Sequence, residues 1–137
     1  MKHFYRKTLN VMLTGALIVS AASCSRRYSA KSEEDIIGFL SDCGISVAGD
    51  CTRKTVTIPA EFGDVYEKYN ELQKQQGFDL SRYRSREAEV YTYSVISVDG
   101  GHTEFTEAHV MVCDETIIGG DISSAGLGGE MQALVKK

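Results

Sequence analysis

Tryptophan is absent from the 137-residue chain and proline occurs once, as Pro59. A tryptophan-lined ligand cage and a proline-rich spacer are excluded by those two facts. A helix needs about 20 apolar residues to span the hydrocarbon core of a bilayer. The longest apolar run, Val11 to Ala22, falls short of that and is interrupted by Thr14 and Ser20. Basic charge is scarce as well, with a formal net charge of −4. Nucleic acid is not an expected partner of a chain whose overall field repels polyanions. Metal-ligand spacings are missing too. His102, Glu104, Glu107, His109 and Asp114 are near one another in sequence, but no CxxC, HxxxH or acidic-loop pattern occurs, so no metal is expected. Gly126, Gly128 and Gly129 look like a glycine-rich loop, yet Met131 stands where the last glycine of GxGxxG belongs. The dinucleotide fingerprint fails, and no cofactor is expected.

What is present begins with a leader. Residues 1–7, MKHFYRK, are basic, the run to Ala22 is apolar, and Ala21, Ala22 and Ser23 are small. That order is the charged, apolar and small-residue pattern of a secretory signal. The cysteine that follows resembles the bacterial lipobox, in which the thiol accepts a diacylglyceryl group and becomes the new N-terminus. Here Ala21 replaces the usual leucine three residues before the cysteine. The expected organisation is a signal peptide over 1–23, an anchor and linker over 24–31 beginning at lipidated Cys24, and one folded domain over 32–137. The mature domain then has twelve basic residues against nineteen acidic ones, a charge of about −7. Arg26 and Arg27 are expected beside anionic headgroups on the extracytoplasmic face of the cell membrane.

In the folded part, Ser32 followed by Glu33, Glu34 and Asp35 predicts a short helix with a hydroxyl cap and an acidic first turn, stopped by Gly44. Residues 45–47 and 54–58 have strand alternation around the turn-like Ala48-Gly49-Asp50 and are expected to pair as a hairpin. Phe62, Val65, Tyr66, Tyr69 and Leu72 recur at helical spacing up to Gly77 and predict a long helix with that stripe buried. Glu87 to Val98, about Thr103 to Cys113, and Thr116 to Ile122 read as an antiparallel meander with a tight turn at Asp114-Glu115. Leu127, Met131, Leu134 and Val135 share a helical face and predict a short C-terminal helix. The expected class is α+β, a mainly antiparallel sheet packed against one long helix.

The stretch QQGFDLSRYRSREAEVYTYSV, followed by AHVMVCDETIIGGDISS, resembles the core of a family of small bacterial lipoproteins described as domain of unknown function 4830. The resemblance covers about Val65 to Leu134 and rests on Gly77-Phe78-Asp79-Leu80, the alternating Tyr91 and Tyr93, and Ile117-Ile118-Gly119-Gly120-Asp121. It implies the lipoprotein address and one α+β domain, and it brings no activity.

Three cysteines remain after Cys24. Cys43 and Cys51 are close enough in sequence for a local disulfide in an oxidising compartment, with Cys113 an open alternative as partner of either. Cys113 as a nucleophile would need a base. His109 lies four residues away along a strand, roughly 13 Å in rise, too far to serve. Arg82, Arg84 and Arg86 alternate, and an extended backbone would line their guanidinium groups on one side as a surface for an anionic ligand. The expected function is therefore a membrane-tethered, non-catalytic binding or accessory module of the cell envelope, with an envelope protein or anionic ligand as partner. The alternative is an envelope enzyme or thiol-redox factor using Cys113. Burial of that thiol would separate the two.

Overall fold

The computed structural model of the chain describes residues 27–100, 105–124 and 130–135. Cys24, Arg26, His102, Glu104, the glycines at 126, 128 and 129, and Leu127 lie outside them.

The chain enters as a two-residue strand, β1 (Tyr28–Ser29), and turns into helix α1 (Glu33–Asp42). The start is the one the residues call for: the Ser32 hydroxyl accepts a hydrogen bond from the Asp35 amide at 3.3 Å, and three acids occupy the first turn, each favourable at the positive end of the helix dipole. Ile36, Phe39 and Leu40 form its buried face. Gly44 stops it in the left-handed region at φ +81°, and a side chain there would collide with Asp99. Strand β2 (Ile45–Thr57) follows, then helix α2 (Asp64–Gln75), a 3-10 turn over Leu80–Tyr83, β3 (Glu87–Val98), β4 (Glu107–Cys113), β5 (Thr116–Ser123) and β6 (Met131–Gln132). All pairings are antiparallel, in the order β1-β5-β4-β3-β2, with β6 also on β5.

This architecture corrects the expected fold. There is no single long helix against the sheet. Two helices of similar length, ten and twelve residues, accompany a six-stranded antiparallel sheet that makes up most of the fold. Three misreadings explain the difference. Residues 45–47 and 54–58 do not pair with each other; 45–47 and 54–57 both belong to β2 and pair with β3, and Ile58 follows the strand end. The register jumps from Val47 opposite Val95 to Cys51 opposite Tyr93, so Ala48-Gly49-Asp50 is an irregularity within one strand and not a hairpin turn. The expected C-terminal helix is replaced by β6, because Ser123 and Ile122 offer their strand edge to Met131 and Gln132. The stripe of α2 is only partly its buried face: Phe62, Tyr66 and Tyr69 pack half-buried on the second core cluster, but Val65 is 85% exposed, and the deepest positions are the amides Asn70 and Gln73, with Gln76 just past the helix end.

Those three amides explain themselves through their partners. The Asn70 side chain accepts from the Leu80 amide at 2.8 Å and donates to Asp79 at 3.0 Å. Gln73 Oε1 accepts from the Gly120 amide at 2.8 Å. Gln76 donates to the Gly120 carbonyl at 2.9 Å and accepts from the Leu134 and Val135 amides at 2.9 and 3.3 Å. Backbone groups that the strands leave unpaired at β5 and the C-terminal segment are thus satisfied by α2.

The sheet is covered on both faces. On β4, Ala108, Val110 and Val112 join the α1 cluster with Tyr91, Tyr93 and Leu134, while Met111 and Cys113 point into a second cluster with Ile58, Leu80, Tyr66 and Tyr69. The alternation of a strand enforces this division. Near one edge, Tyr28, Phe39 and Phe78 form a ring triangle with centroids 4.7 to 6.4 Å apart. It joins the start of the chain to α1 and to the segment after α2.

Replacing Gln76 by Leu keeps the volume and strands three backbone groups. At about 1–3 kcal/mol for a buried polar group left unpaired, the expected loss is about 2–4 kcal/mol in urea unfolding. Val65→Ala should change stability by less than about 0.5 kcal/mol. A loss below that same level for Gln76→Leu would show that the amide network is not structural.

Candidate functional site

The three arginines expected to line one side of the backbone do not do so. Arg82 lies inside the 3-10 turn, Arg84 caps it, and Ser85 follows at φ +63° before β3 begins. The chain bends through the stretch instead of running extended, so the guanidinium groups diverge. Arg84 stacks 4.6 Å above the Phe62 ring, and its Nη1 points at the Ala60 carbonyl at 3.5 Å. Arg86 forms an ion pair with Asp114 and lies 5.7 Å from the Tyr83 ring. Arg82 is left to itself, and among the described residues it makes no ion pair or hydrogen bond through its side chain.

What Arg82 meets is a residue that sequence reasoning placed only beside the membrane. It shares a cleft of about 250 Å³ with Arg27, between Gly77, Phe78 and Asp79 on one side and Thr116, Ile117 and Ile118 on the other. Arg27, like Arg82, has no side-chain partner among the described residues. Asp79 is already engaged: its Oδ1 accepts from Asn70, the Ser81 amide and the Ser81 hydroxyl, and those bonds, the Ser81 hydroxyl first, hold its carboxyl below the ordinary range. No spacing rule could have found this pair, because 55 residues separate its members and only the docking of β1 on β5 brings them together.

A larger cleft, about 420 Å³, runs over Ala88, Tyr91 and Val112 between Lys31, Arg53 and four acids. Its charges are largely matched: Arg53 meets Glu89 at 2.6 Å above the Tyr91 ring, and Arg86 holds Asp114. Cys113 belongs to its lining yet is only 4% exposed. Burial pushes that thiol up, with Arg86 pulling partly back and Asp114 adding to the rise. A thiol held protonated is a poor nucleophile. Cys43 and Cys51, the expected local pair, stand with Cys113 as free thiols in the structure. Cys43 caps α1, and burial followed by the Asp42 charge pushes it up to about 11. The Cys51 thiol donates to Glu33 at 3.0 Å.

His109 faces a different set of groups from the one considered with Cys113. Its Nδ1 lies 2.9 Å from the Thr92 hydroxyl, and its Nε2 is 3.3 Å from the Ser123 hydroxyl and 3.5 Å from Glu107. Opposite it across the ladder is Asp121, 2% exposed, whose Oδ2 accepts from the Tyr69 hydroxyl at 3.0 Å. Burial pushes the Asp121 carboxyl up, and His109 and Tyr69 pull it partly back. The seam joins β3, β4, β5 and α2 through polar pairs, and neither cleft reaches it. Among the described residues, no group of three or more His, Cys, Asp and Glu side chains is arranged to hold a metal ion.

Residues 39–122 match the family model described as domain of unknown function 4830. The chain belongs to that family. No curated protein and no solved structure matches it. The part of the chain matched to domain of unknown function 4830 begins inside α1 and ends inside β5. It contains Arg82, Arg84 and Arg86, and it leaves out Arg27, β1 and β6.

Asp121 sets a pH dependence whose sign follows from its raised pKa. Below the unfolded-state value near 3.9 the group is protonated in both states; as pH rises, the unfolded chain ionises first and the fold loses stability until the folded pKa is passed. Asp121→Asn keeps the acceptor for Tyr69 and removes that loss. Its stability relative to the wild type should therefore climb between pH 4 and pH 7 in urea unfolding. A difference that stays flat across that range would mean that Asp121 ionises as freely folded as unfolded.

Proposed function

We propose that the chain is a lipid-anchored extracytoplasmic protein of the cell envelope, cut before Cys24 and tethered by acyl chains on that thiol, and that it works as a non-catalytic binding or accessory module. The observation that carries the reading is the leader: a basic start, an apolar run too short to span, and small residues directly before Cys24. Two or more acyl chains, at about 0.8 kcal/mol per buried CH₂, hold a protein where one chain gives only reversible contact. Among the described residues no helix is long and apolar enough to cross a membrane.

The way the chain enters the fold supports a close tether. Tyr28 and Ser29 already pair with β5, and the Ala30 amide donates to the Glu115 carbonyl at 2.8 Å. From Cys24 to Tyr28 the chain reaches at most about 14 Å fully extended. A domain held that near a bilayer keeps its N-terminal side within reach of the headgroups. The enzyme alternative, built on Cys113, loses support from the burial of that thiol and its raised pKa.

Fatty-acid labelling and membrane fractionation test the anchor. Wild-type protein should incorporate label and sediment with membranes, whereas Cys24→Ala should do neither. Cys113→Ser should behave as the wild type in both assays. Acyl incorporation that persists in Cys24→Ala would refute the assignment.

A further inference from the structure

The described residues include five arginines, and three of them are engaged: Arg53 with Glu89, Arg84 with Phe62 and Ala60, and Arg86 with Asp114. The two that are not, Arg27 and Arg82, line the same cleft. The one carboxylate in the cleft lining, Asp79, gives its Oδ1 to Asn70 and Ser81 and forms no ion pair with either arginine. Two arginines without an ion pair among the described residues border one small space, Arg27 at its junction with a neighbouring cleft over Asp114 and Glu115, and together they supply the cations for a single oxyanion. Their planar forks match phosphate, and an arginine-to-phosphate hydrogen bond is stronger than one between neutral groups.

We propose that the Arg27–Arg82 cleft binds a phosphate ester, and that its occupant is the headgroup of an anionic phospholipid in the membrane that holds the anchor. The choice of a lipid over a dissolved phosphate ester rests on the lipoprotein reading above. Arg27 is three residues from Cys24, a reach of at most about 10 Å. A cleft so close to the acyl chains meets headgroups at a far higher local concentration than any solute. The cleft volume of about 250 Å³ accommodates a phosphate with its glycerol, and Phe78 and Ile117 supply an apolar wall beside the two cations. An anchor and a headgroup contact on one side of the domain fix its orientation, which a single point of attachment does not do.

Arginine-specific modification with phenylglyoxal, mapped by mass spectrometry, reads the cleft on full-chain protein prepared from membranes. Three preparations are compared: phosphatidylglycerol vesicles, vesicles of a neutral galactolipid without phosphate, and the latter with millimolar glycerol 3-phosphate. Phosphatidylglycerol should slow modification of Arg27 and Arg82 several-fold, leaving Arg53 at its galactolipid rate. In Arg82→Gln the protection of Arg27 should disappear. The wild-type comparison stands even if that variant does not fold. Protection by glycerol 3-phosphate and not by phosphatidylglycerol would overturn the lipid as occupant. Protection by neither, or equal slowing of Arg53, would overturn the site. The intact mass of the same sample reports acylation of Cys24, so an acylated protein with no protection condemns the cleft alone. A protein without acyl groups whose arginines are protected by phosphatidylglycerol condemns the anchor alone.

Discussion

Much of this fold depends on three carboxamides at the C-terminal half of α2. Asn70, Gln73 and Gln76 sit in space that apolar side chains would ordinarily fill, and they hold the backbone of Gly120, Leu80, Leu134 and Val135. The geometry leaves little room for anything else. A Cβ on Gly119 would come within 2.8 Å of Gln73 Oε1, and one on Gly120 within 2.5 Å of the His109 carbonyl and of Leu134. Glycine at 119 therefore lets the Gln73 amide reach the strand, and glycine at 120 makes room for Leu134 and the β4 backbone. With α2 fixed this way, Gly77 turns the chain at φ +85° and Phe78 lands against Tyr28 and Phe39. The cleft of Arg27 and Arg82 is one consequence: its two sides are the segment after α2 and the strand that α2 grips.

A second constraint acts at the β4–β5 turn. Asp114 and Glu115 both have positive φ, +47° and +56°, the requirement of a tight two-residue hairpin that glycine usually meets. For residues with a Cβ the left-handed region costs about 1–2 kcal/mol each. The turn is held in place from three directions: Cys113 pairs with Thr116, Arg86 binds Asp114, and the Ala30 amide donates to the Glu115 carbonyl. The last of these ties the entering chain to the β4–β5 turn through a backbone hydrogen bond. The exposed ion pair adds little by itself.

Local chemistry was legible in the residues, and long-range partnership was not. Ser32, the acids after it and Gly44 specify α1 because caps and dipoles act within one turn. Gly77 marks the end of α2, and Asp99-Gly100 the end of β3, for the same reason. The errors share a cause. Val65 fits a helical stripe by spacing, but which stripe is buried depends on what faces it, and here the facing surface is glycine backbone that needs amides. Residues 45–57 contain two runs of β-branched alternation, and nothing local reveals that β3 is long enough to pair with both. The arginines alternate in sequence; their fan-out is decided by the 3-10 turn and the αL residue Ser85. His109 was legible as a residue, but Asp121 as its neighbour needed the ladder.

The two edges of the sheet end differently, and that difference bears on orientation. From β1 to β2 the path crosses four strand spacings, roughly 19 Å. The far edge, β2, is long and largely exposed, the kind of strand that recruits other chains. It is blunted by the irregularity at 48–50 and by Asp50, Arg53 and Lys54 along its length. The near edge, β1, is only two residues long and offers little backbone for pairing. Its neighbourhood instead holds two arginines that have no side-chain partner among the described residues, next to the N-terminal end of the described chain. Among the described residues, arginines without an ion pair lie at one edge and the protected backbone lies at the opposite one. On the proposed lipid anchor, that arrangement would set the two arginines on the bilayer side and leave the charged, irregular β2 edge on the far side.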